Sequence, residues 1–389
     1  MADGPRALLP DEWPQLDALV SSVFRSTMLG NYPQLFNAEN RENLRVVADG
    51  GTVVSHVGMI QRSASLLGCR IDVACVGAVA TYPEQRGHGY ASLAFQDCCD
   101  LAAADGCDLI LISGGRGLYT RVGCRRVGQD WTVVLDATNA ATVARLPVME
   151  ALDVRAIGDE HLDAVAALYQ AEPVRFLRPR EDWQRSFACQ IVMAGHAEFW
   201  GLFLQDQLVA YIIVQPPRAG RQATDVPSVR VVEYAGDRAA VAGALPDLAR
   251  HYQALQVNLH VQGWDRAMRA HLLNAGSQAT PSPTWGTLRV LNFPQFMERC
   301  RPLLAERLGT AVAAELQFAA DEQPGSVAGG FTIRLGSEQL RLPDLGALAT
   351  FLFADPQGVA PESPESAELR ALLQPALPLP TLWYGISYV

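Results

Sequence analysis

The stretch Val76–Ser92, VGAVATYPEQRGHGYAS, decides the expected fold. Its residues through Thr81 are small and apolar, as in a strand, and Gly87 and Gly89 follow in a loop that opens a helix predicted over 89–105. Glycines in such a loop let backbone amides approach an anion closely, and a helix amino terminus adds unpaired N–H groups and a partial positive charge. The stretch therefore predicts a pyrophosphate cradle.

Two other phosphate-binding patterns are excluded by the same residues. A nucleotide P-loop requires G-x-x-x-x-G-K-[ST], and this chain contains no lysine. A dinucleotide fingerprint requires three spaced glycines, which the loop lacks. The alternative that stays open is a strand-to-helix turn whose glycines serve the backbone geometry alone.

The loop resembles motif A of the GNAT acetyltransferases, [QR]-x-x-G-x-[GA], read here from Arg86 to Ala91. A second segment, LISGGRGLYTRVGC over 111–124, follows a strand predicted over 108–112 and is similar to that family's Y-x-x-x-G-[FY]. The resemblance implies acetyl-CoA as co-substrate, with the backbone of 79–81 holding the pantetheine arm and amides of 87–92 holding the pyrophosphate. The implied cofactor-binding residues are Val79, Ala80, Thr81, Arg86, Gly87, His88, Gly89, Tyr90, Ala91, Ser92, Gly114 and Gly115.

Tyr119 is the candidate catalytic acid by the same resemblance. A phenol with a pKa of ~10 can protonate a thiolate whose thiol has a pKa of ~8.5, because the transfer is only slightly uphill. Cys124 departs from the aromatic residue that the family usually has after Gly123. The alternatives are a packing role for Tyr119 and, for His88, a backbone contribution without side-chain catalysis.

A second unit, predicted over 151–285, repeats the order of paired strands, strand, helix and strand. Its counterpart of the cradle is Gly236-Asp237-Arg238, in which Gly236 stands alone and Asp237 would repel a pyrophosphate. We therefore expect a degenerate, non-catalytic repeat of the first domain, which is predicted over 1–150.

The remainder, 286–389, is predicted to hold a helix over 294–307, strands near 313–319 and 331–335, a helix over 343–353 and a turn-rich loop over 356–364. Its strand, hairpin and helix over 331–353 resemble sterol-carrier-protein-like domains. The whole layout resembles the Eis-type acetyltransferases. The resemblance implies an α/β (α+β) fold with tandem GNAT-like domains of mixed twisted sheets, followed by a sterol-carrier-like domain. It also implies a homo-oligomer, with the hexamer as the assembly expected from that family.

In that family the terminal carboxylate enters the active site as the base, which here implies Val389. An incoming ammonium must lose a proton before it attacks a thioester, and a free α-carboxylate with a pKa of ~3.5 becomes a better base when partly desolvated. Apolar and aromatic residues of the tail, among them Trp383, Tyr384 and Tyr388, could carry it inward. Glu84 or a water chain is the alternative.

Acceptor contacts are expected from the first helices and the loop that follows them. The candidates are the apolar Phe24, Met28, Tyr32 and Phe36, and the acidic Glu39, Asp130 and Asp136. Each acidic residue could equally be a solvated surface charge.

The composition of the chain limits the classes of partner and the location that we expect. A formal net charge of −10 disfavours nucleic acid and suits a cationic amine. No apolar run approaches the ~20 residues of a membrane helix, and the amino terminus lacks a signal-peptide pattern. The eight cysteines contain no C-x-x-C pair, which disfavours a metal site. We therefore expect a cytoplasmic, metal-free protein. The leading hypothesis is N-acetylation of a small polyamine-like or aminoglycoside-like amine. The alternatives are a protein lysine or amino-terminal acetyltransferase, or a CoA- or lipid-binding module without catalysis.

Overall fold

The computed structural model describes residues 2–24, 27–217, 226–357 and 364–389. Its contacts divide the chain into two compact units. The first unit comprises 1–127, 284–381 and Val389, and the second comprises 128–283 and 382–388. Most of the predicted loop 356–364 lies outside the described residues.

Residues 1–127 alternate strands with short and long helices. The strands and helices are β1 (Asp3–Ala7), α1 (Trp13–Val23), α2 (Met28–Asn31), β2 (Leu44–Asp49), β3 (Thr52–Leu66), β4 (Cys69–Thr81), α3 (Tyr90–Ala104), β5 (Leu109–Ile112) and α4 (Gly117–Arg121). The sequence also predicts strands over 44–48, 52–60 and 69–80, which β2, β3 and β4 confirm, and α3 confirms the helix predicted over 89–105. The strand β1 was not expected from its sequence.

Residues 128–283 contain the second unit's sheet and its helices. The elements are β6 (Asp130–Asp136), α5 (Ala140–Val143), β7 (Asp153–Ala156), α6 (Leu162–Gln170), β8 (Val174–Phe176), α7 (Arg180–Cys189), β9 (Ile191–Val192), β10 (Gly195–His196), β11 (Glu198–Leu204), β12 (Gln207–Gln215), β13 (Ser228–Gly236), α8 (Arg238–His251), β14 (Gln256–Val261), α9 (Arg266–Asn274) and β15 (Gln278–Ser282).

Residues 284–389 begin with a strand and continue in a helical segment with a small sheet. The elements are β16 (Thr287–Val290), α10 (Phe293–Arg299), α11 (Arg301–Leu308), α12 (Thr310–Glu315), β17 (Gln317–Ala320), β18 (Phe331–Leu335), β19 (Glu338–Leu342), α13 (Leu345–Phe353) and α14 (Pro364–Leu373). The strands β17, β18 and β19 form an antiparallel sheet in that order.

Two predictions for this last region were wrong in detail. The expected strand near 313–319 is shorter, because Thr310–Glu315 (TAVAAE) is a helix, as its alanines and glutamate favour. The expected helix over 294–307 is two helices that meet at Cys300, where Pro302 occupies the first turn of α11.

The first unit's sheet is mixed, in the order β1-β2-β3-β4-β5-β16. Neighbouring strands are antiparallel except β4 and β5, which are parallel. The apolar face of α3 packs on this sheet and buries Phe95 completely, together with Cys98 and Cys99. Burial of one such phenylalanine contributes about 2 kcal/mol. The cysteines therefore act as small core residues, and all eight in the chain are free thiols.

The second unit's sheet has the order β15-β6-β14-β13-β12-β11-β7, with β13 and β14 parallel. The compact units divide the chain differently from the predicted ranges 1–150, 151–285 and 286–389. Strand β6 pairs with β14 and buries Val133 and Leu135 in the second unit's core, whereas β16 pairs with β5 in the first unit. Burial of apolar side chains, rather than order along the chain, decides these memberships. In the part of the chain that the structure describes, no helix is long and apolar enough to cross a membrane.

Candidate active site

The pairing between the parallel strands β4 and β5 of the first unit ends partway along β4. The ladder between β4 and β5 ends at Val76 and Ile112, and the amide of Ser113 donates to the carbonyl of Val76 at 3.1 Å. Strand β4 continues to Thr81. Because β5 ends at Ile112, the β5-facing edge of Gly77–Thr81 has no ladder partner in β5 and can bind an extended arm in place of a strand.

A bulge lies in this same part of β4. His56 opposes Ala80 and Gly58 opposes Gly77, so that Ala78 and Val79 together face one residue of β3. Ala78 has φ +52°, the left-handed conformation that non-glycine residues rarely adopt. Bulges interrupt a ladder and re-aim its backbone groups, and they are frequent beside active sites. The bulge therefore lies at the start of the backbone 79–81 that is expected to hold the pantetheine arm, whereas Ala80 and Thr81 stay paired with β3.

The loop after β4 has the geometry expected of a cradle. Gly87 and Gly89 have φ of +88° and +82°, and Gly89 is the N-cap of the helix α3. No side chain of the described residues caps this helix, so its first N–H groups face outward. A Cβ added at either glycine would meet no described atom within 4 Å. The loop can thus offer backbone amides and the helix dipole to an anion.

The other residues of this segment lie around the loop. His88 is exposed, its ring stacks on Tyr90 at 5.5 Å between centroids, and its Nδ1 is 3.2 Å from the carbonyl of Gln85. Arg86 donates from Nε to the carbonyl of Thr81 at 3.3 Å. Ala91 and Ser92 form the first turn of α3 and are half-buried.

The second unit supplies an internal comparison. Its corresponding helix, α8, begins after Asp237, whose carboxylate accepts hydrogen bonds from the amides of Ala239 and Ala240 at 2.8 and 2.9 Å. The amides that bind an anion in a cradle are already occupied by this negatively charged side chain. An anion at the start of α8 would therefore have to compete with the Asp237 carboxylate for these amides.

Tyr119 lies in α4, after the second glycine-rich segment. Its ring packs edge-on against Phe95 at 5.5 Å, and a Cβ at Gly114 would come within 3.1 Å of its Cε2 and 3.7 Å of its hydroxyl oxygen. Gly114 is therefore required for the close approach of the loop to the phenol, whereas Gly115 is exposed and unconstrained. Burial raises the pKa of Tyr119 to about 12, which keeps the phenol protonated at neutral pH. Cys124 is buried beside it as a core residue.

Val389 also belongs to the first unit and is buried there. A Cβ at Gly77 would lie 2.2 Å from the main-chain carbonyl carbon of Val389 and 3.3 Å from Oγ of Ser113. Gly77 is the first residue of β4 beyond the β5 ladder, so the main-chain carbonyl of Val389 lies at the end of that ladder. A single glycine inside an apolar strand indicates a bulge or a close backbone approach, so the position of Gly77 within β4 is a sequence signal for this contact.

The remaining candidates are dispersed. Met28, Tyr32 and Phe36 are buried, and Phe24 is partly exposed. Asp130, in the second unit, is buried and accepts hydrogen bonds from His260 and the amide of Gly263. The other acidic candidates, Glu39, Glu84 and Asp136, are exposed. No group of metal-binding residues occurs among the residues that the structure describes.

Known proteins resemble this chain in sequence over its first third and in fold over most of its length. Residues 5–127 match the family model described as an acetyltransferase (GNAT) domain. No curated protein sequence matches the chain.

Solved structures share the fold at low identity. A GCN5-related N-acetyltransferase of Anabaena variabilis is 16% identical with a TM-score of 0.62, and the alignment covers 97% of each chain. Eis1 of Mycobacterium abscessus is 13% identical with a TM-score of 0.60, again over 97% of each chain. A probable N-acyltransferase of Enterococcus faecalis is 13% identical with a TM-score of 0.58, covering 77% of this chain and 74% of its own. These solved structures share the fold of this chain, and residues 5–127, which contain the bulge and the uncapped glycine loop, match an acetyltransferase (GNAT) domain.

Proposed function

We propose that the protein transfers an acetyl group from acetyl-CoA to a primary amine of a small, cationic acceptor of the polyamine or aminoglycoside type. The observation that carries the proposal is the carboxyl group of Val389 beside Gly77, at the point where β4 and β5 separate. An acidic group at that point suits an ammonium, and a net charge of −10 favours the approach of a cation.

The first unit's backbone would hold the co-substrate. In this proposal the backbone of Val79–Thr81 pairs with the pantetheine arm, and the amides at the start of α3 bind the pyrophosphate. The co-substrate supplies a thioester carbonyl, which is the group that an amine attacks. Gly77, which lacks a side chain, leaves room for the carboxyl group of Val389 on the same strand.

Two groups of the first unit handle protons in this scheme. Where Val389 ends the chain, its carboxylate accepts a proton from the acceptor's ammonium. Tyr119 donates its proton as the thiolate leaves. With a phenol pKa of about 12 and a thiol pKa of ~8.5, complete transfer is uphill by ~5 kcal/mol, so the phenol acts first as a hydrogen-bond donor to the developing charge.

A thiol-release assay with acetyl-CoA tests the acceptor class. The panel contains spermidine, an aminoglycoside and a lysine-containing peptide at equal concentrations. Turnover with the first two and little with the peptide is the expected result. Preference for the peptide would support the protein acetyltransferase alternative, and binding of acetyl-CoA without turnover of any amine would support the non-catalytic alternative.

The carboxyl group has its own test. One glycine added after Val389, or amidation of Val389, should abolish most turnover while leaving acetyl-CoA affinity and thermal stability unchanged. Comparison of the two changes separates loss of charge from steric blockage. Near-normal rates in both would assign the base to Glu84 or to a water chain.

Three further expectations stay with this proposal. The segment 286–389 contains a sterol-carrier-like domain, the chain forms a homo-oligomer such as a hexamer, and free cysteines suit a cytoplasmic location. Sedimentation at micromolar concentration tests the oligomer, and a monomer there would contradict it.

A further inference from the structure

The second unit has an opening between parallel strands at the place that corresponds to the cofactor slot of the first. The ladder between β13 and β14 ends at Val231 and Leu259, just as the β4–β5 ladder ends at Val76 and Ile112. The residue that follows on β13 is Val232, as Gly77 follows on β4. The segment Leu382–Tyr388, which we call the tail, reaches this opening through one of its side chains.

Trp383 is the tail residue that lies in the opening. Its indole N–H donates to the carbonyl of Val232 at 2.6 Å. Its ring stacks on the imidazole of His260, with 3.5 Å between centroids and an angle of 11°. The side chain of Trp383 thus contacts the backbone of β13 and a side chain of β14.

A buried ion pair holds the rest of the tail by its main chain. Arg178 and Glu233 form two parallel hydrogen bonds of 2.8 and 2.7 Å, and their side chains are 1% and 4% exposed. Arg178 also donates to the carbonyl of Tyr384 at 3.1 Å and to Oγ of Ser387 at 3.0 Å. Glu233 accepts from the amide of Ile386 at 3.1 Å.

Gly385 makes this approach feasible. It has φ +51°, and a Cβ there would lie 1.5 Å from Oε2 of Glu233. The carboxylate therefore takes the space of the missing side chain. Aromatic groups close the other side, since the guanidinium of Arg178 lies 3.7 Å from the ring centre of Tyr169. The donors and acceptors of the pair are matched to one backbone conformation of the tail.

We infer that Arg178 and Glu233 are positioning residues for catalysis: they clamp the tail in the second unit's strand opening, and so set the course of the chain that reaches Val389 two residues later. This function rests on the proposed role of the Val389 carboxyl group. In this inference the strand opening of the second unit binds the chain's own tail instead of a co-substrate.

The test uses the full-length protein with Glu233→Gln, which weakens the pair and keeps the shape of the side chain. Glu172→Gln is the matched control, because Glu172 pairs with Arg238 in the same unit and is nearly as buried, yet its carboxylate accepts hydrogen bonds from Arg238 and from the amide of Gly236. Hydrogen exchange measures the amides of 382–389. Thiol release measures kcat, and calorimetry measures acetyl-CoA affinity.

For Glu233→Gln we expect tail amides that exchange on the order of 100-fold faster, kcat lowered at least ~10-fold, and an acetyl-CoA Kd within about 2-fold of wild type. The control should leave tail exchange and kcat near wild type. Gly385→Ala provides a second route, since it disturbs the clamp while both charges remain, and it should reproduce the same pattern.

Unchanged tail exchange in both Glu233→Gln and Gly385→Ala would overturn the clamp. Faster exchange with normal kcat would overturn its positioning role. If the amidated protein is fully active, the proposed base is wrong, whereas the exchange data still decide on the clamp, so the two failures are distinguishable.

Discussion

At the scale of single residues, Tyr119 offers the most direct test of the chemistry. Its ring is fixed by Phe95 and Gly114, so Tyr119→Phe removes the hydroxyl and keeps the packing. We expect kcat to fall by ~10²–10⁴-fold, with little change in acetyl-CoA Kd, because the proton is used only as the thiolate leaves. Steady-state kinetics with calorimetry measure both. A variant with wild-type kcat would show that the phenol is only a packing residue.

His56 carries a pH dependence of stability that is separate from catalysis. It is fully buried opposite Ala80, and burial lowers its pKa to about 3. Its Nδ1 lies 3.2 Å from the carbonyl of Arg45, and among the described residues Nε2 has no partner that a protonated ring could use. The unfolded chain binds this proton below its usual pKa of ~6.5, whereas the folded chain stays neutral until much lower pH.

The free energy of unfolding should therefore fall as the pH drops from about 6.5 towards 3, by up to ~1.4 kcal/mol per pH unit for this one group. His56→Gln should remove that contribution, since its amide can still donate to Arg45. Urea titrations of both proteins at pH 7, 6 and 5 give the difference. Parallel stability curves for the two proteins would contradict the assignment.

At the scale of elements, the loop before α3 predicts a specific loss of binding. Gly89→Val forces a branched side chain into φ +82°, next to the amides that the pyrophosphate would contact. Gly106 is a matched control at the other end of α3, with φ +81° and equally open surroundings. Both variants should lose ~1–2 kcal/mol of stability through backbone strain. Calorimetry should show greatly weakened acetyl-CoA binding for Gly89→Val alone, and equal affinities would refute the cradle.

At the scale of the whole molecule, the two repeats differ in what they can bind. The first presents an uncapped helix after a glycine loop, and the second has Asp237 on the equivalent amides and Trp383 in the equivalent opening. We expect one acetyl-CoA per chain by calorimetry. Asp237→Ala should not create a second site, because the tail still fills the strand opening. A stoichiometry of two in wild type would show that the second unit is not degenerate.

The local features of the fold, including the glycine loop before α3, could be predicted from the sequence. The strands around 44–80, the helix over 89–105 and the loop at Gly87 and Gly89 depend on residue periodicity and on glycine backbones, which neighbouring residues determine. The match of residues 5–127 to the acetyltransferase family rests on the same short segments.

Tertiary structure alone decided which segments meet. Several contacts join residues that are far apart in the chain. Val389 lies beside Gly77, and β4 forms a bulge at Ala78 against β3. Strand β6 pairs in the second unit's sheet and β16 in the first unit's sheet, and Arg178 and Glu233 bind the tail. Such contacts depend on burial of apolar surface and on pairing of buried charges, which no local pattern encodes. The sequence by itself therefore determined the glycine loop and the elements around it, and packing determined that the main chain of Val389 lies beside Gly77.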